Sequence, residues 1–302
     1  MLLFTGTTGF VGQELTKLEQ EYRCVVRLGE THSFKDVYTV PGIDSSTEWE
    51  GCFTEVDTLI HLAGLAHNNS FSVADYKAVN TDGTLRLALK AAEAGVRRFV
   101  FVSSIGVNGT STKDKAFKSN SKENPHNAYA QSKYDAEIGL KKISEETGLE
   151  LVIVRPTLVY GPNAPGNFGM LTRLVSKLPI LPFGLANNRR DFIAVQNLAD
   201  LLVTTATHSD AAGHTFLASD GEPVSTKQFT NAIAQGLGKK VIQLPIPVSL
   251  MRLAAKFVGK SAMIEQLFGN LEVDSSNIRQ VLGWTPPLTM EQAMASLRNS
   301  ED

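Results

Sequence analysis

Apolar residues along the first half of the chain follow two alternating rhythms. Consecutive runs predict strands: LLF at 2–4, RCVVR at 23–27, VDTLIHLAG at 56–64, RRFVFVSSIG at 97–106 and ELVIVRPTLVYG at 150–161. Between them GQELTKLEQEY at 12–22, YKAVNTDGTLRLALKAAEAG at 76–95 and NAYAQSKYDAEIGLKKISEETG at 127–148 predict helices. The second of these has apolar residues at i, i+3 and i+4 and ends at Gly95. Strands that are apolar at successive positions have both faces covered, as in a parallel sheet flanked by helices. With right-handed crossovers the expected fold class is α/β, a doubly wound parallel sheet.

After Gly161 the rhythm changes, interrupted by Pro162, Pro165, Pro179 and Pro182. Residues 181–208 and 214–238 alternate short strands with helices. Residues 273–300 read as a small helix, a loop closed by Trp284-Thr285-Pro286-Pro287, and a last helix. The expected organisation is a sheet domain over 1–161, with a segment near 190–220 returning to it. A smaller lobe, mainly 162–302, lies over the carboxyl ends of the strands.

Composition narrows this picture only by exclusion. A chain of 302 residues can bury one large core or two modest ones. The formal net charge of −2 makes no electrostatic case for a nucleic-acid or anionic-membrane partner. No apolar stretch approaches the roughly 20 residues of a membrane span. Met1-Leu2-Leu3-Phe4 does not read as a secretory leader, so the expected location is cytoplasmic. Cys24 and Cys52 could pair, although nothing in a chain of this size demands a disulfide.

The first strand runs into FTGTTGFVGQEL, where Gly6, Gly9 and Gly12 fall three residues apart. Glycine permits φ > 0, and a missing Cβ lets a phosphate reach backbone amides at a helix start. The segment Gly6, Thr8, Gly9, Phe10, Val11, Gly12 is therefore a candidate dinucleotide cradle, spaced G-x-x-G-x-x-G rather than G-x-G-x-x-G. Tight packing of a helix on a strand would use the same glycines. The second strand ends in Arg27 rather than an acid. A guanidinium there suits a 2′-phosphate, which favours NADP over NAD, and a solvent-facing strand end is the other reading.

Tyr129 and Lys133 stand four residues apart on one helix face. An ammonium near a phenol favours the phenolate, so Tyr129 could exchange a proton with a substrate hydroxyl while a nicotinamide takes hydride from the same carbon. An exposed helix pair has the same spacing. Ser103 and Ser104 end the preceding strand, where ligand crevices of wound sheets lie. A serine there can bond the reacting oxygen or simply satisfy turn amides.

TGTTGFVG, HLAG at 61–64, VNTDGT at 79–84, FVSS, YAQSK and VRPTLVYGP together resemble the extended short-chain dehydrogenase/reductases. RRDFIAVQNLAD and VLGWTPP resemble their NAD-dependent epimerase/dehydratase branch, which includes UDP-glucose 4-epimerase-like proteins. The resemblance implies a Rossmann-like domain holding NAD or NADP and a C-terminal substrate-binding lobe holding a UDP-sugar. It implies Tyr129 as acid/base, Lys133 on the nicotinamide ribose, and Ser104 as the catalytic serine, with Ser103 beside it on the cofactor side. Leu62, Ala63, Gly64, Asn80 and Pro156 would line the cofactor, while Arg190 and Asn167 would contact the substrate. It also implies a homodimer through the helices at 76–94 and 128–147, whose Leu85, Leu89, Ile138 and Ile143 could equally pack on their own sheet. No metal is expected.

Two departures from the family pattern matter. Val107-Asn108-Gly109 stands where Val-Tyr-Gly is common, and Ile105-Gly106 follows Ser104 where dehydratases carry Asp-Glu. The second sets dehydratase chemistry aside. The expected activity is C4 epimerisation of a UDP-sugar. NADPH-dependent reduction of a UDP-4-keto-6-deoxy-sugar and a non-catalytic NAD(P) sensor are the alternatives. Pocket shape rests on loops at 65–73 and 162–190 that do not yield to sequence reasoning.

Overall fold

A computed structural model describes residues 1–18, 21–66 and 70–300 of the chain. Strands β1 (Leu2–Thr5), β2 (Tyr22–Arg27), β3 (Val37–Val40), β4 (Thr58–His61), β5 (Arg98–Val102) and β6 (Glu150–Pro156) follow one another through the first half. Short β7 (Leu158–Tyr160), β8 (Ile180–Leu181), β9 (Phe192–Ala194), β10 (Thr215–Ala218) and β11 (Ile242–Gln243) come after them. A seven-stranded sheet has the order β10-β6-β5-β4-β1-β2-β3. All of its pairings are parallel, with Thr5 opposite both Val25 and His61.

The helices are α1 (Phe10–Leu15), α2 (Val73–Tyr76), α3 (Thr84–Glu93), α4 (Ala128–Thr147), α5 (Gly166–Lys177) and α6 (Val195–Thr207). They continue as α7 (Thr226–Gly236), α8 (Val248–Phe257), α9 (Ser261–Phe268), α10 (Ser276–Leu282) and α11 (Met290–Ala295). Two apolar layers sandwich the sheet: Phe4, Ile60, Val100 and Val152 pack with Leu198 and Leu202 of α6, while Leu3, Leu59, Phe99 and Phe101 pack with Leu87 of α3 and Leu140 of α4. This is the doubly wound sheet that the apolar rhythm predicts. A third apolar cluster, including Phe168, Phe183, Phe229 and Phe268, joins α5, α7 and α9 in the C-terminal half.

Some elements differ from the sequence-based expectation. The helix expected to reach Tyr22 ends at Leu15, and Tyr22 instead pairs with Leu2 in the sheet. The strand expected over 150–161 splits at Thr157, whose amide turns to the carbonyl of Ala218. Pro156, with no amide to donate, closes β6, and β7 pairs separately with β9. β3, absent from the expectation, is a short edge strand with mixed burial and so shows no continuous apolar run.

Candidate active site

The wound sheet sets the carboxyl ends of β6, β5, β4, β1 and β2 side by side. From β1 the chain winds one way to β2 and β3, then returns at β4 on the other side of β1. In sheets of this kind the ligand crevice lies where the order reverses. Gly6 to Gly12, Leu62 to Gly64, Ser103, Ser104 and Pro156 all stand at or just past these strand ends.

The three glycines of the opening turn have different causes. Gly6 has φ +73, and a Cβ on it would lie 2.7 Å from the amide nitrogen of Ala63. Gly12 packs so closely that a Cβ would meet the Gly6 carbonyl oxygen and lie 2.5 Å from Thr7 Cα. Packing explains both. Gly9 is exposed, has φ −79 and ψ 170 at the N-cap of α1, and has no side-chain cap. A Cβ there would meet only the Gly6 carbonyl, at 3.2 Å, so Gly9 keeps backbone open to an approaching group. Gly12→Ala will therefore destabilise the fold by about 1–3 kcal/mol. Gly9→Ala will leave the melting temperature nearly unchanged and weaken dinucleotide binding in a titration. Equal loss of stability in both variants would make the whole turn a packing device.

His61 pins the junction from beneath. Its Nδ1 lies 2.7 Å from Thr5 Oγ1 and its Nε2 2.9 Å from Thr84 Oγ1. Burial first, and then the Lys133 charge, push the ring down to about 3, so it is neutral. Thr5 Oγ1 also accepts from the Ala63 amide at 3.2 Å, tying the LAG segment to β1. Asn80 sits in a π-helical turn (Lys77–Gly83) and locks the next residue, accepting from the Leu65 amide at 2.7 Å and donating to its carbonyl at 3.1 Å. A Cβ on Gly64 would fall 2.8 Å from Asn80 Oδ1 and 3.4 Å from Lys133 Nζ, so only glycine lets the backbone pack against both groups. Residues 67–69 of the expected pocket loop lie outside the described residues.

Asn127 caps α4, accepting from the Ala130 amide at 2.8 Å, and this fixes the first turn that carries Tyr129. The half-buried phenol is pushed above its ordinary range by burial, pulled down by a hydrogen bond to Ser104 and raised by neighbouring Tyr76. Ser104 Oγ also accepts from the Gly106 amide at 3.0 Å, which fixes the hydroxyl against Tyr129. Tyr129 and Ser104 are thus brought together from positions 25 residues apart, as expected.

Lys133 is almost fully buried. Its Nζ donates to the Val102 carbonyl at 3.0 Å and stands 4.8 Å over the Phe101 ring. Burial lowers it to about 8, against the pull of Glu137. Below it, Ser103 donates to Glu137 at 2.5 Å, and Arg155 binds Glu137 through Nε at 2.9 Å and Asn108 Oδ1 at 3.0 Å. The Ser103 hydroxyl is thus committed to a buried ionic network, and the departure at Asn108 serves that network. Sequence reasoning missed Glu137, although its place one turn after Lys133 on the same helix face was a signal.

Arg190 carries a partly buried guanidinium whose Nη1 donates to the Gly269 carbonyl at 2.9 Å. Burial lowers it to about 10, and among the described residues no carboxylate pairs with it. Asn167 is exposed on α5 and donates to Gln266 of α9 at 3.4 Å. Both residues therefore reach the same end of α9. Arg27 is 65% exposed and pairs with Glu30 at 3.1 Å. Glu30 also accepts from the Thr8 hydroxyl at 3.1 Å and the Arg27 amide at 3.2 Å. This acid lies three residues past the strand end, and for that reason the sequence reading passed over it.

Among the described residues no group of three or more His, Cys, Asp or Glu side chains could hold a metal ion. None of their helices is long and apolar enough to cross a membrane.

A family model described as the NAD dependent epimerase/dehydratase family matches residues 2–218. The UDP-glucose 4-epimerase of Vibrio cholerae is 40% identical over 304 aligned positions, covering 96% of this chain and 92% of that protein. The crystal structure of UDP-glucose 4-epimerase with UDP-glucose from Thermotoga maritima superposes with a TM-score of 0.75 at 21% identity, covering 99% of this chain and 98% of that one. The UDP-N-acetylglucosamine 4-epimerase of Bacillus cereus gives a TM-score of 0.78 at 17% identity, covering 99% and 98%.

Proposed function

Starting from the fact that this chain belongs to the NAD dependent epimerase/dehydratase family, we propose that it is an enzyme that inverts C4 of a UDP-sugar. The observation that carries this reading is the hydrogen-bonded Tyr129–Ser104 pair at the end of β5, beside the reversal of strand order. Its support from relatives is the 40% identical UDP-glucose 4-epimerase of Vibrio cholerae.

The crevice fits a dinucleotide. The helix start after Gly9 has no side-chain cap, and Gly64 brings bare backbone against buried Asn80 and Lys133. When bound, the nicotinamide supplies the acceptor and later the donor of hydride at the sugar C4. Tyr129 takes the proton from the C4 hydroxyl and returns it to the oxygen after the 4-keto sugar has turned over. Ser104 bonds that oxygen throughout. Lys133 and Asn80 hold the nicotinamide ribose side. Arg190 grips the diphosphate, with Asn167 beside it, and the C-terminal lobe over 162–302 supplies this part of the site. A guanidinium already stripped of water and lacking a carboxylate gains most from a phosphate.

Incubation with UDP-glucose and UDP-N-acetylglucosamine in the absence of added cofactor tests the reading. Interconversion supports it. NADPH consumption with a 4-keto sugar only would make the protein a reductase, and no turnover of any sugar would leave a dinucleotide sensor.

Glu30 bears on the choice of cofactor. Its carboxylate lies against Thr8 of the glycine turn, where an acid about 20 residues past the turn accepts from the ribose 2′-hydroxyl. It also offsets Arg27, the one residue that favoured NADP. NAD is therefore the proposed cofactor. Glu30→Gln will shift the ratio of NADP to NAD affinity upward by about tenfold, since like-charge repulsion of a 2′-phosphate is removed and Arg27 is released. An unchanged ratio in paired titrations would place the discrimination elsewhere.

Leu89 on α3 and Ile138 on α4 stand exposed while Leu85 and Ile143 pack inward. The exposed pair is proposed to meet its copy in a homodimer. A monomer in sedimentation velocity at working concentration would count against it.

A further inference from the structure

Helix α8 is apolar on two opposite sides. Val248, Met251 and Ala255 face the aromatic cluster of the C-terminal lobe. On the other side Leu250, Leu253, Ala254 and Phe257 recur at i, i+3, i+4 and i+7, and every one of them is exposed. Leu250 is 55% exposed, Leu253 52%, Phe257 83% and the following Val258 67%. Met263 on α9 adds a further exposed apolar side chain, and α9 is held to α8 by Arg252, whose Nε binds Glu265 at 2.8 Å. A helix with one apolar stripe needs one partner, and α8 has a second stripe that none of the described residues covers.

The charge around that stripe indicates what would cover it. Residues 239–266 contain Lys239, Lys240, Arg252, Lys256 and Lys260 against the single acid Glu265, a local balance of +4 in a chain whose formal charge is −2. The whole-chain figure, which argued against an anionic partner, conceals this segment. Lys256 and Lys260 are exposed, and among the described residues neither forms an ion pair. Exposed Phe and Leu with unpaired lysines alongside is the pattern of a helix that lies in the plane of an anionic membrane surface. A protein partner of ordinary composition would call for no such excess of positive charge.

We propose that α8 docks the C-terminal lobe on an anionic phospholipid surface, with Leu250, Leu253 and Phe257 entering the headgroup boundary and Lys256 and Lys260 on lipid phosphates. The chain then lies on the bilayer without crossing it. The docking helix is one helix away from the diphosphate end of the crevice, since α9 leads into Gly269, whose carbonyl holds Arg190. Catalysis and docking thus share the lobe but no side chain.

Sedimentation of the full chain with vesicles tests this. The chain will pellet with vesicles of phosphatidylcholine and phosphatidylglycerol but not with phosphatidylcholine alone. High salt will release it as the screening length falls from about 10 Å at 0.1 M to about 3 Å at 1 M. Lys256→Gln with Lys260→Gln will lower the partition coefficient roughly 30-fold. Leu253→Ser with Phe257→Ser will abolish binding. Both double variants will keep the parent's melting temperature, which excludes misfolding as the cause. Failure of the parent to pellet with either vesicle, or pelleting of the Leu253/Phe257 variant like the parent, overturns the proposal. It is also overturned if those two substitutions turn a dimer into a monomer and vesicles bind neither form, because a second copy then occupies the stripe.

Discussion

Tyr129→Phe will lower turnover by roughly three orders of magnitude, within the range that a positioned proton donor and acceptor contributes. The substitution removes one oxygen and leaves the ring packed edge-on against Tyr76, with centroids 6.1 Å apart. Ser104 keeps its bond from the Gly106 amide, so the strand end is not disturbed. Dinucleotide affinity and melting temperature will therefore stay near those of the parent, while steady-state rates fall. Burial holds the phenol above its ordinary range, and the hydrogen bond to Ser104 works against that. Activity within tenfold of the parent in the Phe variant would remove Tyr129 from the chemistry altogether.

The second large effect concerns Arg190. Arg190→Leu will raise KM for the UDP-sugar about 100-fold, as expected for loss of charge-assisted bonds to a phosphate. Stability is predicted to move the other way. Without a carboxylate partner among the described residues, the guanidinium is a desolvated charge that the fold tolerates at a cost. Its loss leaves the Gly269 carbonyl still bonded by Asn188 at 3.4 Å, and the backbone bridges of residue 190 to Val224 and Leu271 do not involve the side chain. Unfolding in denaturant will show a variant as stable as the parent or up to about 1 kcal/mol more so. A structural arginine would give the reverse, a clear loss of stability with an unchanged KM.

Much of the fold was legible because local and global preferences agree. The buried strands β5 and β6 carry the apolar runs Phe99–Val102 and Leu151–Val154, and α4 carries both of its boundary signals, Asn127 at the N-cap and Gly148 at φ 78. Where the expectation departed from the structure, pairing partners decided. Tyr22 looks helical by sequence and belongs to the sheet because Leu2 is opposite it. The helix α5 lay hidden inside the loop expected at 162–190, since Pro165 at its N-cap reads locally as a breaker. Among site residues, spacing along one helix revealed Tyr129 and Lys133 but not which way Lys133 points. The bond of Arg190 to a carbonyl 79 residues away, and that of Glu30 back to Thr8, exist only in three dimensions. The three glycines illustrate the limit best, since identical letters at even spacing conceal two packing positions and one open one.

The most direct measurement follows a deuterium atom placed at C4 of UDP-glucose through turnover by the purified protein with no dinucleotide added. Hydride that leaves and returns within one closed crevice keeps its label, so the C4 epimer should appear with deuterium still at C4 and none lost to solvent. An epimer that carries solvent hydrogen at C4, or one that forms only when NADPH is supplied, would contradict an inversion carried out by this site on a resident cofactor.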